Sequence, residues 1–209
     1  MIRTVEYASC YVYSPSGAGA VCERSRLLRT LLKAGDAAFM LKYAVRVRQQ
    51  AKESAQLAGF FGAMDVLVPV PGSTPHHAGD SWAAEHLALA LVNEGLGGHI
   101  WPGLRRIRAV RKSATAAPGD RPTVHVHYES FDIELTPNPP ERIVLIDDVV
   151  TKGRTLLAAA SRVHEALPRA QIRAFALLRT MGMIAGVAQL LDPCKGEIRW
   201  RGGDAHRSP

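Results

Sequence analysis

The sequence predicts an α/β domain: a mostly parallel central sheet flanked by helices, with an N-terminal helical segment. Two strand, loop and helix units followed by a further strand predict it. Val66 to Pro71 is a short apolar strand running into Gly72-Ser73-Thr74-Pro75, and a helix spans about Ser81 to Glu94. Ile143 to Ile146 is a second apolar run, followed by two acids, a glycine turn and a helix after Thr155; the strand Ile172 to Leu178 comes next. Alternation of this kind builds parallel sheets, whose ligands collect at the carboxyl ends of the strands. The 209 residues suit a single domain with residues 1–63 as a strand and helical region, 64–180 as the core and 181–209 as a C-terminal extension.

Residues 1–13 alternate through Val5, Tyr7, Tyr11 and Tyr13, which fits one or two strands, and Ser14 to Gly19 is a turn-rich break. Leu27, Leu28, Leu31 and Leu32 mark one face of a helix that stops near Gly35. A second helix begins after Asp36 and carries Met40, Tyr43, Val47, Ala51, Ala58 and Phe61. The helix after Thr155 has the stripe Leu156, Ala160, Val163 and Leu167 and ends at Pro168. Asp204 to Pro209 is expected to be a frayed tail.

Residues 142–157 carry the chemistry. An apolar strand ends in Asp147 and Asp148, and Thr151-Lys152-Gly153-Arg154-Thr155 then opens a helix. Unpaired N–H groups and roughly half a positive charge at a helix start receive a phosphate, glycine lets the backbone close around it, and adjacent carboxylates accept hydrogen bonds from vicinal hydroxyls. An acid pair alone also suits a metal site or a solvated strand end; Gly153 and Thr155 at these offsets make the pattern far more specific.

The run resembles the phosphoribosyl pyrophosphate (PRPP) motif of type I phosphoribosyltransferases, a hydrophobic strand, Asp-Asp, two apolar residues and usually Thr-Thr-Gly-x-Thr. Lys152 stands where that family more often has Thr or another small residue. In layout the chain is most similar to ComF-type members, with a leucine-rich helical region, a Val-Pro-Val-Pro strand end, a helix, a basic loop, an Arg-containing link (Arg121) to a Phe-containing strand (Phe131), and the Asp-Asp motif. Similarity covers roughly residues 24–180. It departs in lacking the cysteine zinc ribbon, since Cys10, Cys22 and Cys194 are odd in number and widely spaced, and in holding Gly-Ser-Thr-Pro-His-His-Ala-Gly-Asp-Ser from Gly72 to Ser81 in place of arginines and Gly-Phe-Asn-Gln.

The resemblance implies the type I phosphoribosyltransferase fold with residues 64–180 as its PRPP-binding core. It implies phosphoribosyl transfer with release of pyrophosphate, Asp147 and Asp148 as catalytic acids orienting the ribose, Thr151 to Thr155 holding the 5′-phosphate, and Pro71, Gly72, Ser73 and Thr74 as the pyrophosphate loop. Magnesium is the implied cofactor, bound through PRPP, with no protein ligand assigned to it directly. Arg105, Arg106, Arg108, Arg111 and Lys112 would form a flexible basic loop closing over the leaving group. Acceptor contacts would come from residues 1–22 and 181–209. His76, His77, His125 and His127 are alternatives for a general base, and structural or solvated roles are favoured for each.

The formal net charge of +7 attracts polyanions without naming one. PRPP or another ribose 5-phosphate compound is the expected partner. Nucleic acid is the rival, because Arg199-Trp200-Arg201 places an aromatic between cations, although an indole packed on the sheet accounts for Trp200 more simply. The alternative function is a non-catalytic PRPP- or nucleotide-binding accessory protein in DNA uptake or processing. No apolar run approaches the ~20 residues needed to span a bilayer, and the first residues lack a signal-peptide stretch. A cytoplasmic protein without a membrane partner is expected, with homo-oligomerisation left open.

Overall fold

Val144 and Ile146 face one apolar layer and Ile143 and Leu145 the other, and all four are fully buried. An unalternating apolar run demands cover on both faces of its strand. The computed structural model, which describes residues 1–77, 79–111, 120–182, 184 and 186–209, supplies that cover with helices on each side.

The elements in order are β1 (Thr4–Tyr13), α1 (Ala20–Ala34), α2 (Ala37–Glu53), β2 (Val66–Pro69), α3 (Ala83–Asn93), β3 (His99–Ile100), β4 (Leu104–Arg106), α4 (Val124–Ser130), β5 (Phe131–Ile133), β6 (Arg142–Val150), α5 (Arg154–Ala166), β7 (Gln171–Thr180), β8 (Leu191–Arg201) and β9 (Asp204–Ser208). A mixed seven-stranded sheet has the order β3-β2-β6-β7-β1-β8-β9, parallel from β3 through β1 and antiparallel over β8 and β9. β4 and β5 form a separate antiparallel pair. The α/β class with a mostly parallel sheet flanked by helices is therefore observed.

One apolar layer contains Leu156, Leu157, Ala160 and Val163 of α5. The other gathers Leu28 and Leu32 of α1, Met40 and Val47 of α2, and Leu87 and Leu91 of α3. Each large aliphatic side chain so buried contributes about 1.5–3 kcal/mol. Gly35, left-handed at φ 73°, ends α1, and the Asp36 side chain caps α2 by accepting the Phe39 N–H at 2.7 Å. No helix among the described residues is long and apolar enough to cross a membrane.

Three expectations need correction. The second helix stops at Glu53, where Ser54 turns extended, so Ala58 and Phe61 are not helical; Phe60 and Phe61 instead pack around Phe175. Residues 204–209 are no frayed tail, because Asp204–Ser208 is strand β9, joined to β8 by Gly202 and Gly203 at φ 58° and 81°. Positive φ at both central residues suits the tight hairpin turns whose twist matches that of strands. Arg105 and Arg106 belong to strand β4 rather than to a loop.

Asp65, fully buried before β2, accepts from Arg142 Nε at 2.8 Å, Arg173 Nη2 at 2.7 Å and the Gly62 N–H at 2.7 Å. Its carboxylate ties the start of β2 to β6 and β7. Because three charge-assisted or backbone bonds converge on one buried group, Asp65→Ala should cost about 2–3 kcal/mol. Urea unfolding tests this, and a loss below about 0.5 kcal/mol would show that the tie is dispensable.

Candidate functional site

The carboxyl ends of β2 and β6 lie side by side, with Pro69 opposite Ile146 and the Val70 N–H donating to the Ile146 carbonyl at 2.8 Å. This register sets the loop 70–74 beside the acid pair. β6 continues past Ile146 to Val150 because Val149 and Val150 still pair with Leu178 and Arg179 of β7, so both acids lie within the strand's last turn of pleat.

Asp147 is half-buried and Asp148 buried. The Asp148 N–H donates to Asp147 Oδ1 and the Val149 N–H to Asp148 Oδ1, each at 2.8 Å. Lys33, in the last turn of α1, forms an ion pair with Asp148 Oδ2. Burial first, and the neighbouring Asp148 charge second, hold the Asp147 carboxyl well above the usual carboxylate range, with Lys33 opposing.

Arg106 approaches the acids from the other side. Its Nε donates to the Gly72 carbonyl and Nη1 to Ser130 Oγ, Nη2 reaches the Pro71 carbonyl at 3.4 Å, and the guanidinium lies 4.2 Å from the Phe131 ring centroid. Burial lowers its pKa to about 10, against the pull of Asp147. The four described residues of the expected basic group do not point one way. Arg105 pairs with Glu134 and Arg111 with Asp120, and Arg108 donates to the Glu129 carbonyl, which holds them at the surface; only Arg106 turns inward. Lys112 lies outside the described residues.

The pyrophosphate-loop candidates Pro71, Gly72, Ser73 and Thr74 follow β2 as expected. Trp82 Nε1 donates to the Val70 carbonyl at 2.9 Å, His76 stacks on Trp82 with centroids 4.3 Å apart, and His76 Nε2 accepts the Gly72 N–H at 3.3 Å. An imidazole thus occupies one amide of this loop.

Gly153 starts α5 at φ 86° and offers no side-chain cap; the first helical bond runs from the Leu157 N–H to its carbonyl. The preceding N–H groups are those a helix start leaves for a ligand. A Cβ at Gly153 would meet Ile198 side-chain atoms at 2.7–2.8 Å, so both conformation and space require glycine. The side chains of Lys152 and Arg154 point to β9. Arg154 grips Asp204 through two 2.6 Å bonds, Lys152 Nζ lies 3.4 Å from Asp204 Oδ2, and Arg154 lowers the Asp204 pKa to about 2. These two cations brace the turn, and the backbone and Thr155 remain as its phosphate-facing candidates.

Sequence reasoning missed several contributors. Arg207 of β9 donates to the carbonyls of Thr151 at 2.8 Å and Thr180 at 2.7 Å and to Tyr7 Oη at 2.9 Å, while the Thr151 and Thr180 hydroxyls meet at 3.2 Å. Lys33 carried no signal, since a lysine at a helix end is ordinary. His127 of α4 is buried, with Nε2 3.5 Å from Thr155 Oγ1, and its Nδ1 has no hydrogen-bond partner among the described residues. His125 pairs with Glu129 at the surface and His77 is exposed. Paired carboxylates are hard oxygen donors of the kind magnesium shares with substrate phosphates, and the burial and repulsion that disfavour ionised Asp147 are what a cation would offset.

Two pH effects follow. At acid pH both folded and unfolded chains hold the Asp147 proton; as pH rises the unfolded chain releases it first, so stability falls. Asp147→Asn should therefore raise stability at pH 7 by on the order of 1 kcal/mol, roughly 2–4 °C in Tm, with the gain vanishing near about pH 3. A lower Tm at pH 7 would mark the carboxylate as structural. His127 behaves oppositely. Burial, Arg106 and Arg154 push its pKa from 6.5 down to about 4, so stability complete above 6.5 is lost as pH falls toward 4. His127→Gln should remove about 2 kcal/mol of that acid-side loss, measured as unfolding free energy at pH 7.5 and 4.5; an unchanged difference between the two would refute it.

Comparison with known proteins adds no relative: no family model and no curated protein matches the chain.

Proposed function

We propose that the protein binds PRPP, or a related ribose 5-phosphate compound, at the carboxyl edge of its sheet and transfers phosphoribosyl to an acceptor with release of pyrophosphate. One observation carries this reading: adjacent carboxylates near the end of a buried strand are followed, after Val149 to Lys152, by an uncapped helix start whose glycine has φ 86°. That order matches a ribose followed by its 5′-phosphate. The resemblance to the PRPP motif and the parallel sheet order support it.

In this reading the α5 start and the Thr155 hydroxyl receive the 5′-phosphate. Asp147 and Asp148 accept hydrogen bonds from the ribose 2′- and 3′-hydroxyls, and the cation-like sugar of the transition state offsets the burial and repulsion that disfavour ionised Asp147. The bond between C1 and the pyrophosphate oxygen breaks with its electron pair leaving on pyrophosphate, while the acceptor's lone pair forms the new bond to C1. Magnesium bound with the substrate would neutralise leaving-group charge, with Asp147 and Asp148 as the residues able to hold it. Arg106, fixed between the loop 71–72 and the acids, positions a cation beside the leaving group.

A binding-only reading has one observation in its favour, the Gly72 N–H already engaged by His76. Calorimetry with PRPP and with ribose 5-phosphate, each with and without magnesium, tests the shared part. The expected outcome is saturable binding that weakens at least tenfold in the Asp147→Asn, Asp148→Asn double variant, and absence of heat from folded protein at millimolar ligand would overturn it. Released pyrophosphate, measured across a panel of nucleobases and amines, separates the two readings; tight binding without release from any acceptor would favour the accessory protein.

A further inference from the structure

His127 is a polar side chain buried where an apolar one would serve the fold better. It is 4% exposed, and its Nδ1 has no hydrogen-bond partner among the described residues. A buried orphan of this kind costs stability that an apolar side chain of similar size would not. The other ring nitrogen is engaged, with Nε2 3.5 Å from Thr155 Oγ1 in the first turn of α5. Burial first, then Arg106 and Arg154, keep the ring neutral by lowering its pKa to about 4.

The short helix α4 that carries this ring is held at both ends. Thr123 caps it by accepting the Val126 N–H at 3.3 Å, and Arg154 Nη1 donates to the Arg121 and Pro122 carbonyls at 3.3 and 3.2 Å, which ties its entry to the α5 start. Ser130 Oγ donates to the His127 carbonyl at 2.6 Å and accepts from Arg106, which also holds the Gly72 carbonyl. A neutral imidazole donates from one nitrogen and accepts at the other. With the proton on Nδ1, a buried N–H would lack an acceptor, the less tolerated kind of orphan. With the proton on Nε2, the ring donates to Thr155 Oγ1. The threonine hydroxyl then accepts from the ring and keeps its own proton free, and among the described residues its side chain has no other hydrogen-bond partner. That proton is available at the same helix start whose backbone N–H groups suit an anion.

We propose that His127 is a positioning residue of the 5′-phosphate site: its Nε2–H donates to Thr155 Oγ1 and so turns the threonine hydroxyl's proton toward the phosphate. The inference deepens the phosphoribosyl reading and rests on it. The ring itself touches no ligand and transfers no proton. Arg154, the cation nearest in sequence, is committed to Asp204, so an oriented hydroxyl serves where a guanidinium does not. A hydroxyl already accepting from the ring presents chiefly a donor to the site, which selects a group rich in lone pairs and poor in protons, as a phosphate is.

The first measurement is the tautomer, read in the full chain by NMR correlation of the His127 ring protons with its two nitrogens. A proton on Nε2 is expected; a proton on Nδ1 would overturn the relay whatever the chain binds. The second is calorimetry with ribose 5-phosphate. His127→Leu and Thr155→Val should each weaken binding on the order of tenfold, the loss of one hydrogen bond to a charged group. Combined, they should weaken it no more than either alone, because the two act in series. His127→Gln, whose amide N–H can take the place of Nε2–H, should bind within roughly threefold of the parent chain. Urea unfolding separates this from a structural role: a His127→Leu chain as stable as the parent, yet weaker in binding, is the expected combination. If the leucine variant does not fold, Thr155→Val carries the test, and unaltered affinity in it would overturn the relay. Unaltered affinity in folded His127→Leu, or losses that add in the double variant, would overturn the positioning role and leave the phosphoribosyl reading standing. Absence of binding by the parent chain would overturn both.

Discussion

Two neighbouring carboxylates at the end of a strand covered on both faces cannot keep full charge without cations brought from elsewhere. Neither acid has a cation on its own strand past Arg142. Lys33 comes from α1 and Arg106 from β4, elements far apart in sequence. The leucine-rich helices and the small β4–β5 pair therefore do more than cover apolar surface: each delivers one positive charge to the carboxyl edge. Charge compensation remains incomplete, since the Asp147 carboxyl still favours its proton, and an edge left in that condition is receptive to hydroxyl donors or a metal.

The helix start beside the acids is rigidified by the hairpin rather than by its own sequence. Ile198 presses on Gly153, Asp204 binds the cations of the turn, and Arg207 gathers the ends of β1, β6 and β7 through Tyr7, Thr151 and Thr180. Burial drives the Tyr7 phenol up to about 12, so its hydroxyl stays neutral as an acceptor for Arg207. A ligand-binding turn needs glycine for closeness, and glycine alone would leave it loose. The hairpin resolves that conflict from outside.

Local chemistry made much of this legible in the sequence. Ile143 to Ile146 and Val66 to Val68 are apolar without alternation, which announces buried parallel strands, and Gly153 after the acids announces a left-handed turn before a helix. What local patterns could not announce was partner choice across long separations. Lys152 and Arg154 look like phosphate ligands until Asp204 is seen opposite them, and Asp204 looks like part of a frayed end because β9 has little apolar surface of its own: Ala205 alone is fully buried there. Arg106 and its neighbours share a charge but not a direction, because strand alternation sends Arg106 inward and Arg105 outward. Ala58 and Phe61 continue a helical spacing by chance, and Ser54 ends the helix that the spacing would have extended.

β1 is made first and lies between β7 and β8, with Tyr7 opposite Ala174 on one side and Gly196 on the other. During synthesis at roughly 5–20 residues per second, this strand waits on the order of ten seconds before either neighbour exists. Its apolar side chains, Val5, Tyr7 and Val12, and its unpaired backbone are exposed for that interval, in a chain whose sheet is dominated by distant pairings and hence slow to assemble. The Arg207 bonds that join the ends of β1, β6 and β7 are among the last to form. The carboxyl edge is thus completed only when the whole sheet is, and a chain arrested before the hairpin would hold all five helices and an unfinished edge.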